Sequence, residues 1–251
     1  MFIVAFEALR SLGGLTILKP SMNIKKSLLL LPLLALPLVQ CSEAKESQST
    51  EEKKTSETVT KKKTVKLFDG KTLDGWKTVV PANAKYWSVV DGVITASNGS
   101  EKMPTNTYIA TEKSYEDFQF ICKFRLTGDH ASGFINSGIQ YRSLLEHGRI
   151  VGYQADIGRK YWGDIHDEHR RNNLMKGDLK ALFEDDFKED EWGTYKIVCK
   201  GDSHKLYIND HLVADYTEKD TNIPKKGVIA LQIHSGGVAK MEYKDIYIQE
   251  L

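Results

Sequence analysis

Thr194-Tyr195-Lys196-Ile197-Val198-Cys199-Lys200-Gly201-Asp202-Ser203-His204-Lys205-Leu206-Tyr207-Ile208-Asn209-Asp210-His211-Leu212-Val213-Ala214-Asp215-Tyr216 is the stretch that decides the fold. Tyr195, Ile197 and Cys199 alternate with Thr194, Lys196, Val198 and Lys200, the two-residue period of a strand buried on one face. Gly201-Asp202 then breaks the pattern, His204 to Ile208 reads as a second strand, Asn209-Asp210 as a second turn, and His211 to Tyr216 as a third strand.

The same signal recurs on both sides of this stretch. Tyr86 to Val90, Gly92 to Ala96, Thr107 to Ala110, Phe118 to Leu126, Ser137 to Arg142, Tyr153 to Ile157, Val228 to His234 and Met241 to Gln249 are short, alternating and rich in Val, Ile, Tyr and Phe. Asp91-Gly92, Asn98-Gly99, Pro224 and Gly236-Gly237 separate them. A parallel α/β sheet would need helical crossovers, and the only helical pattern is a brief one over Asp178 to Phe183. The reading is an all-β sandwich, with no internal repeat of the kind that marks a propeller or solenoid.

This domain occupies residues 65–251, one domain's worth of chain. Ahead of it, residues 1–21 read as a mis-called start, with Met22 as the true one. Residues 22–40 read as a signal peptide, because Lys25 and Lys26 precede an apolar run, Leu28 to Val39, that is short for a bilayer span and broken by Pro32 and Pro37. Leu38-Val39-Gln40-Cys41-Ser42 resembles the lipobox of bacterial lipoproteins, which makes Cys41 the expected lipidated first residue and places the protein outside the cytoplasm, periplasmic or at the outer membrane. Residues 41–64 carry Ser, Thr, Glu and Lys with Val59 as the one branched aliphatic residue between Ser42 and Thr64, the composition of a tether. A net charge of +1 gives no electrostatic case for nucleic acid. Export permits a disulfide between Cys122 and Cys199; two buried thiols are the alternative, and sequence does not choose between them.

Three strands suggest a site. Gln140 and Arg142 share a face with Gly138; Gln154 and Asp156 share one; Gln232 and His234 lie with Val228 and Ala230. If these strands are neighbours, their faces opposite the core form a floor of Arg, Gln, Asp and His, with Gly138 and Ala230 leaving room for a ligand. A solvated sheet face is the plain alternative, though such faces carry more Lys, Glu and Thr. After Ile157, Tyr161, Trp162, Asp164, His166, Asp167 and Glu168 crowd one turn-rich loop, with Arg170 and Arg171 behind it to balance Asp167 and Glu168. Asp69 and Asp74 read as turn formers, Trp76, Trp87 and Trp192 as core, and His130 and His147 as exposed.

Leu67-Phe68-Asp69-Gly70-Lys71-Thr72-Leu73-Asp74-Gly75-Trp76, Asn136-Ser137-Gly138-Ile139-Gln140-Tyr141-Arg142, Gly152-Tyr153-Gln154-Ala155-Asp156-Ile157, Leu231-Gln232-Ile233-His234 and Lys244-Asp245-Ile246-Tyr247-Ile248-Gln249-Glu250-Leu251 resemble, in order, the motifs of the 3-keto-disaccharide hydrolase domain family. The resemblance implies a concanavalin A-like jelly roll acting on a carbohydrate. It also implies a chemistry: a ketone at C3 of a sugar acidifies the hydrogen on C2, so a modest base removes it and the enolate expels the C1 oxygen by β-elimination, followed by hydration. Such a site needs a base, an electrophile at the enolate oxygen and a surface for the ring. On this reading Asp156 or Glu168 is the base, and Arg142, His234 or a divalent metal ion stabilises the oxyanion. Gln140, Gln154 and Gln232 hold hydroxyls, and Tyr161 or Trp162 stacks on the sugar. His166, counted with the substrate-binding residues, stands where an aromatic residue is expected; together with His234, Asp156 and Glu168 it is also a potential metal ligand, although no fixed ligand spacing is present. A non-catalytic carbohydrate-binding module and a structural surface domain are the competing functions, since this fold serves lectins as readily as enzymes.

Overall fold

The computed structural model describes residues 63–184 and 187–251. The expected start, signal peptide and Cys41 lie outside the described residues, as does the tether up to residue 62. Thr64, the tether's last expected residue, opens the first strand.

The strands are β1 (Thr64–Lys66), β2 (Trp76–Thr78), β3 (Trp87–Val90), β4 (Val93–Ser97), β5 (Thr107–Tyr115), β6 (Phe118–Asp129), β7 (Asn136–Glu146), β8 (Arg149–Gly158), β9 (Ile165–Glu168), β10 (Asn172–Met175), β11 (Gly193–Lys200), β12 (Ser203–Ile208), β13 (His211–Thr217), β14 (Gly227–Ile233) and β15 (Val238–Glu250). A six-residue helix, α1 (Leu179–Glu184), follows β10, and a 3-10 turn over Pro81–Tyr86 precedes β3. The first sheet runs β13-β12-β11-β6-β15-β4-β3, with β1 also on β15; the second runs β10-β9-β8-β7-β14-β5-β2. Neighbours pair antiparallel, for example β11 with β12 and β7 with β8. The jelly-roll expectation holds.

The alternation that identified the strands also builds the core. Phe118, Phe120 and Phe124 of β6, with Tyr195 and Ile197 of β11, face Ile139 and Tyr141 of β7, Tyr153, Ala155 and Ile157 of β8, and Ile229, Leu231 and Ile233 of β14. Burying each large side chain contributes roughly 2 kcal/mol, and a one-residue slip in any strand would turn its whole apolar set outward. This is why the face opposite the core is equally well fixed.

The structure resolves the open question of the two cysteines, and it departs from the sequence expectations at Trp192 and in the loop after Ile157. Cys122 and Cys199 are free and buried; Cys122 pairs with Tyr195 and Cys199 with Phe118, so they sit four register steps apart, about 13 Å along the strands and too far to bridge. Trp192 is only half-buried, flanked by the Arg125 guanidinium at 4.7 Å and the Lys244 ammonium at 4.1 Å from its ring. Trp76 and Trp87 are buried as expected. The supposed loop over residues 158–168 contains β9, and β10 follows it; both strands are four residues long, too short for alternation to declare them.

Candidate active site

Register brings the predicted floor together on the outer face of the second sheet. Gln140 of β7 pairs with Gln154 of β8, Gln154 pairs with His166 of β9, and Gly138 pairs with Asp156. Ala230 of β14 pairs with Gln140 on the other side, and Gln232 pairs with Tyr108 of β5. The room beside Gly138 is used by the protein itself: a Cβ there would lie 2.6 Å from the side chain of Gln154.

Three side chains form a relay that ends on Asp156. Ser143 Oγ donates to Gln140 Oε1 at 3.2 Å, Gln140 Nε2 donates to Gln154 Oε1, and Gln154 Nε2 donates to Asp156 Oδ1. Gln140 is fully buried and Gln154 nearly so, and on the same sheet Ile150, past the bulge in the β7–β8 hairpin, packs with Tyr108, Ala110, Val228 and Ala230. Burial pushes the Asp156 carboxyl up to about 8; the hydrogen bond from Gln154 and the charge of Lys176 oppose the rise, while Asp164 and Glu168 add to it. A carboxyl with one oxygen held by an amide and its affinity for a proton set near neutrality is suited to proton transfer.

Asp156 borders a cleft of about 310 Å³ with Gln154, His166, Glu168, His234, Phe134, Tyr161 and Lys176. Glu168 lies between two imidazoles, 3.5 Å from His166 Nε2 and 3.5 Å from His169 Nδ1. His234 Nδ1 donates to the Ser235 carbonyl at 2.8 Å, which leaves Nε2 of the neutral ring as an acceptor. His234 therefore supplies an oxyanion donor only when protonated. The Phe134 ring meets His234 edge-on at 4.8 Å and Tyr161 edge-on at 5.8 Å, forming an aromatic rim. Lys176 Nζ is 2.7 Å from Asp164 Oδ2 and 5.0 Å from the centre of the Tyr161 ring, with its side chain largely in solvent.

Several expected site residues lie elsewhere. Arg142 is buried away from the floor: a bulge between Tyr141 and Leu144, with Arg142 at φ 48°, breaks the alternation and puts Ser143 on the floor side. Its guanidinium donates to the Glu116 carbonyl at 2.8 Å, the Gly201 carbonyl at 2.8 Å and Asp117 Oδ1 at 3.0 Å, holding the sandwich together instead of a substrate. Trp162 is buried against Phe124 and Phe187, with its indole N–H on Glu189, so it offers no stacking surface. Gln232 is fully buried and donates to the Tyr108 hydroxyl at 2.9 Å, and Gln140 serves the relay; neither presents an amide to the cleft.

Asp164 and Asp167, which the sequence places in a turn-rich loop, are buried. Asp164 accepts from Lys176, Asn173 and the Gly177 N–H, while Asp167 is gripped by Arg170 and Arg171. Arg171 continues to Glu218, which also accepts from the Tyr153 and Tyr216 hydroxyls. This network fixes the turn behind Glu168. Among the described residues no group of three or more His, Cys, Asp or Glu side chains is arranged to hold a metal ion, so His166, His234, Asp156 and Glu168 do not converge as a ligand set. Phe134, His169 and Lys176 were missed by sequence reading. All three lie outside the regular strands, where no period points to them.

The model of the 3-keto-alpha-glucoside-1,2-lyase-like domain matches residues 63–249. The chain belongs to this family. Among solved structures, a candidate glycosyl hydrolase from Parabacteroides distasonis ATCC 8503 superposes with a TM-score of 0.55 at 19% identity, over 75% of this chain and 94% of that one. The carbohydrate-binding module CBM66 from Bacillus subtilis superposes with a TM-score of 0.51 at 15% identity, over 70% and 96%. A Bacillus subtilis protein with a galectin-like fold gives 0.52 at 11% identity, over 70% and 89%. At these identities the structures share the family's fold. No curated protein is detectably similar to the chain.

Proposed function

We propose that the chain cleaves 3-keto glycosides by β-elimination followed by hydration. The observation that carries this reading is the Asp156 carboxyl, on the floor of a polar cleft, with burial holding its proton affinity near neutrality. The family's description, a 3-keto-alpha-glucoside-1,2-lyase-like domain, supports it.

In the proposed sequence, Asp156 takes the hydrogen from C2 of the oxidised sugar and the C2–H electrons form the enolate of the C3 ketone. The Lys176 ammonium faces the enolate oxygen. The enolate then restores the ketone, forms the C1–C2 double bond and breaks the C1–O bond; the departing oxygen takes the proton held by Asp156. Water adds across the double bond, oxygen to C1 and hydrogen to C2, releasing the 3-keto sugar. Glu168, poised between His166 and His169, is the second candidate base. The His234 ring, anchored through Nδ1 on the Ser235 carbonyl, turns Nε2 to a sugar hydroxyl, and Tyr161 and Phe134 meet the sugar ring. A lipid on Cys41 anchors the domain outside the cytoplasm, a reading that rests on the sequence of residues 22–41.

Incubation with a 3-keto glucoside beside its unoxidised parent tests the proposal. Cleavage of the keto form alone is expected. Binding of both without turnover of either would identify a carbohydrate-binding module instead.

A further inference from the structure

The cleft of Asp156 does not end at its aromatic rim. Beyond Phe134 and Tyr161, which line both spaces, a second hollow of about 560 Å³ is bordered by His130, Arg159 and Lys160. Its lining contains three basic side chains and no carboxylate. Arg159 and Lys160 follow directly on β8, three and four residues after Asp156, so the strand that supplies the floor carboxyl also delivers the basic turn. Among the described residues neither Arg159 nor Lys160 has an ion-pair partner, in contrast to Arg142, Arg170, Arg171 and Lys176, all of which are engaged by carboxylates.

The backbone sharpens the contrast. Lys160 sits at φ 72° in a turn closed by the Tyr161 N–H on the Gly158 carbonyl, a conformation that glycine or asparagine adopts more readily. The turn itself gives no reason for a lysine. Arg159 also borders a neighbouring hollow with Glu189 and Asp190, but Glu189 accepts from the Trp162 indole and neither carboxylate forms an ion pair with Arg159 among the described residues.

In a glucoside seated over Asp156 the group on C1 is the one that leaves, and it extends farther from the ring than the hydroxyls or the C5 hydroxymethyl. The Asp156 cleft shares two rings with the basic hollow, and only His234 with the hollow on its other side that Arg149 and His169 border. We propose that the hollow of Arg159, Lys160 and His130 is the leaving-group subsite, and that it selects glycosides whose C1 substituent carries an oxyanion such as a carboxylate. This inference rests on the lyase reading for its link to turnover, though not for the binding it requires.

The test uses the full chain and two arms. In the first, the unoxidised 4-carboxyphenyl and phenyl α-glucosides are titrated by calorimetry, with no turnover needed. The carboxylate is expected to tighten binding about tenfold at low salt, as two partly exposed cations on one oxyanion would, and the Arg159→Ala/Lys160→Ala double variant to erase that difference while leaving the phenyl glucoside unchanged. In the second, KM for the 3-keto forms of the same pair follows the same pattern. Charge-selective binding without turnover would sustain the subsite and remove the lyase reading. Equal binding of both glucosides, no binding of either, or a loss of selectivity in Arg149→Ala instead would overturn the subsite.

Discussion

Gln154 hands the amide hydrogen of its Nε2 to Oδ1 of Asp156, its neighbour two residues along the same strand face. With Ser143 and Gln140 behind it, this contact fixes one carboxylate oxygen and leaves the other for a proton. Most of the predicted behaviour follows from that contact.

Asp156→Asn keeps the shape of the side chain and removes the base. The variant is expected to fold normally and lose at least a hundredfold in kcat on a 3-keto glucoside. In wild type, kcat/KM should rise with pH along a limb centred near 8, where Asp156 gives up its proton. Stopped-time assays across pH 5 to 9 read both; activity undiminished in the variant would remove Asp156 from the chemistry.

Stability should run the other way. The Asp156 carboxyl ionises near 3.8 in the unfolded chain and near 8 in the fold, so between these values the unfolded state has released a proton that the folded state retains. This group's contribution is intact below pH 4 and is lost as pH rises towards 8. Relative to Asp156→Asn, the wild-type melting temperature is therefore expected to fall from pH 5 to pH 8, measured by calorimetry at several pH values. A constant difference would show that the carboxyl is not held protonated.

Gln154→Leu deletes a hydrogen bond that favours the ionised carboxylate. The Asp156 affinity for its proton should then rise, moving the rising limb of the pH–rate profile to higher pH, with a smaller loss at pH 9 than at pH 7. A variant with uniformly reduced activity and an unmoved limb would mean that the relay is structural only.

Arg142 belongs to the interior. Arg142→Met takes the guanidinium from two carbonyls and from Asp117, which keeps only the Gly201 N–H, and about 3 kcal/mol of stability is expected to be lost. Chemical denaturation measures this loss, while kcat/KM of the folded protein should stay within about twofold of wild type, a range too small to be a catalytic contribution. A catalytic loss at unchanged stability would return Arg142 to the site.

These residues also show what a sequence can disclose. Gln140, Gln154 and Asp156 were placed on one floor because a strand's alternation is exact as long as pairing is regular, and the register bears that out. Arg142 obeyed the same parity on paper and was misplaced, because the bulge after Tyr141 inserts a residue that alternation cannot announce. Trp162 looked like a loop residue available to a sugar, and Phe124 and Phe187 close over it, whereas the expected pairing of Arg170 and Arg171 with Asp167 is present and buried with β9. Phe134 and Lys176 reach the cleft from loops, which carry no period, so only the packed chain reveals them.

The most direct test of the proposed chemistry is the fate of the C2 hydrogen. A 3-keto glucoside is cleaved briefly in D2O and the released sugar examined by mass spectrometry against an enzyme-free control. Removal of the C2 hydrogen by Asp156 predicts that it is lost and replaced by deuterium at the rate of C1–O cleavage, and that Asp156→Asn suppresses both together. Release of a sugar that retains its original C2 hydrogen would contradict the elimination.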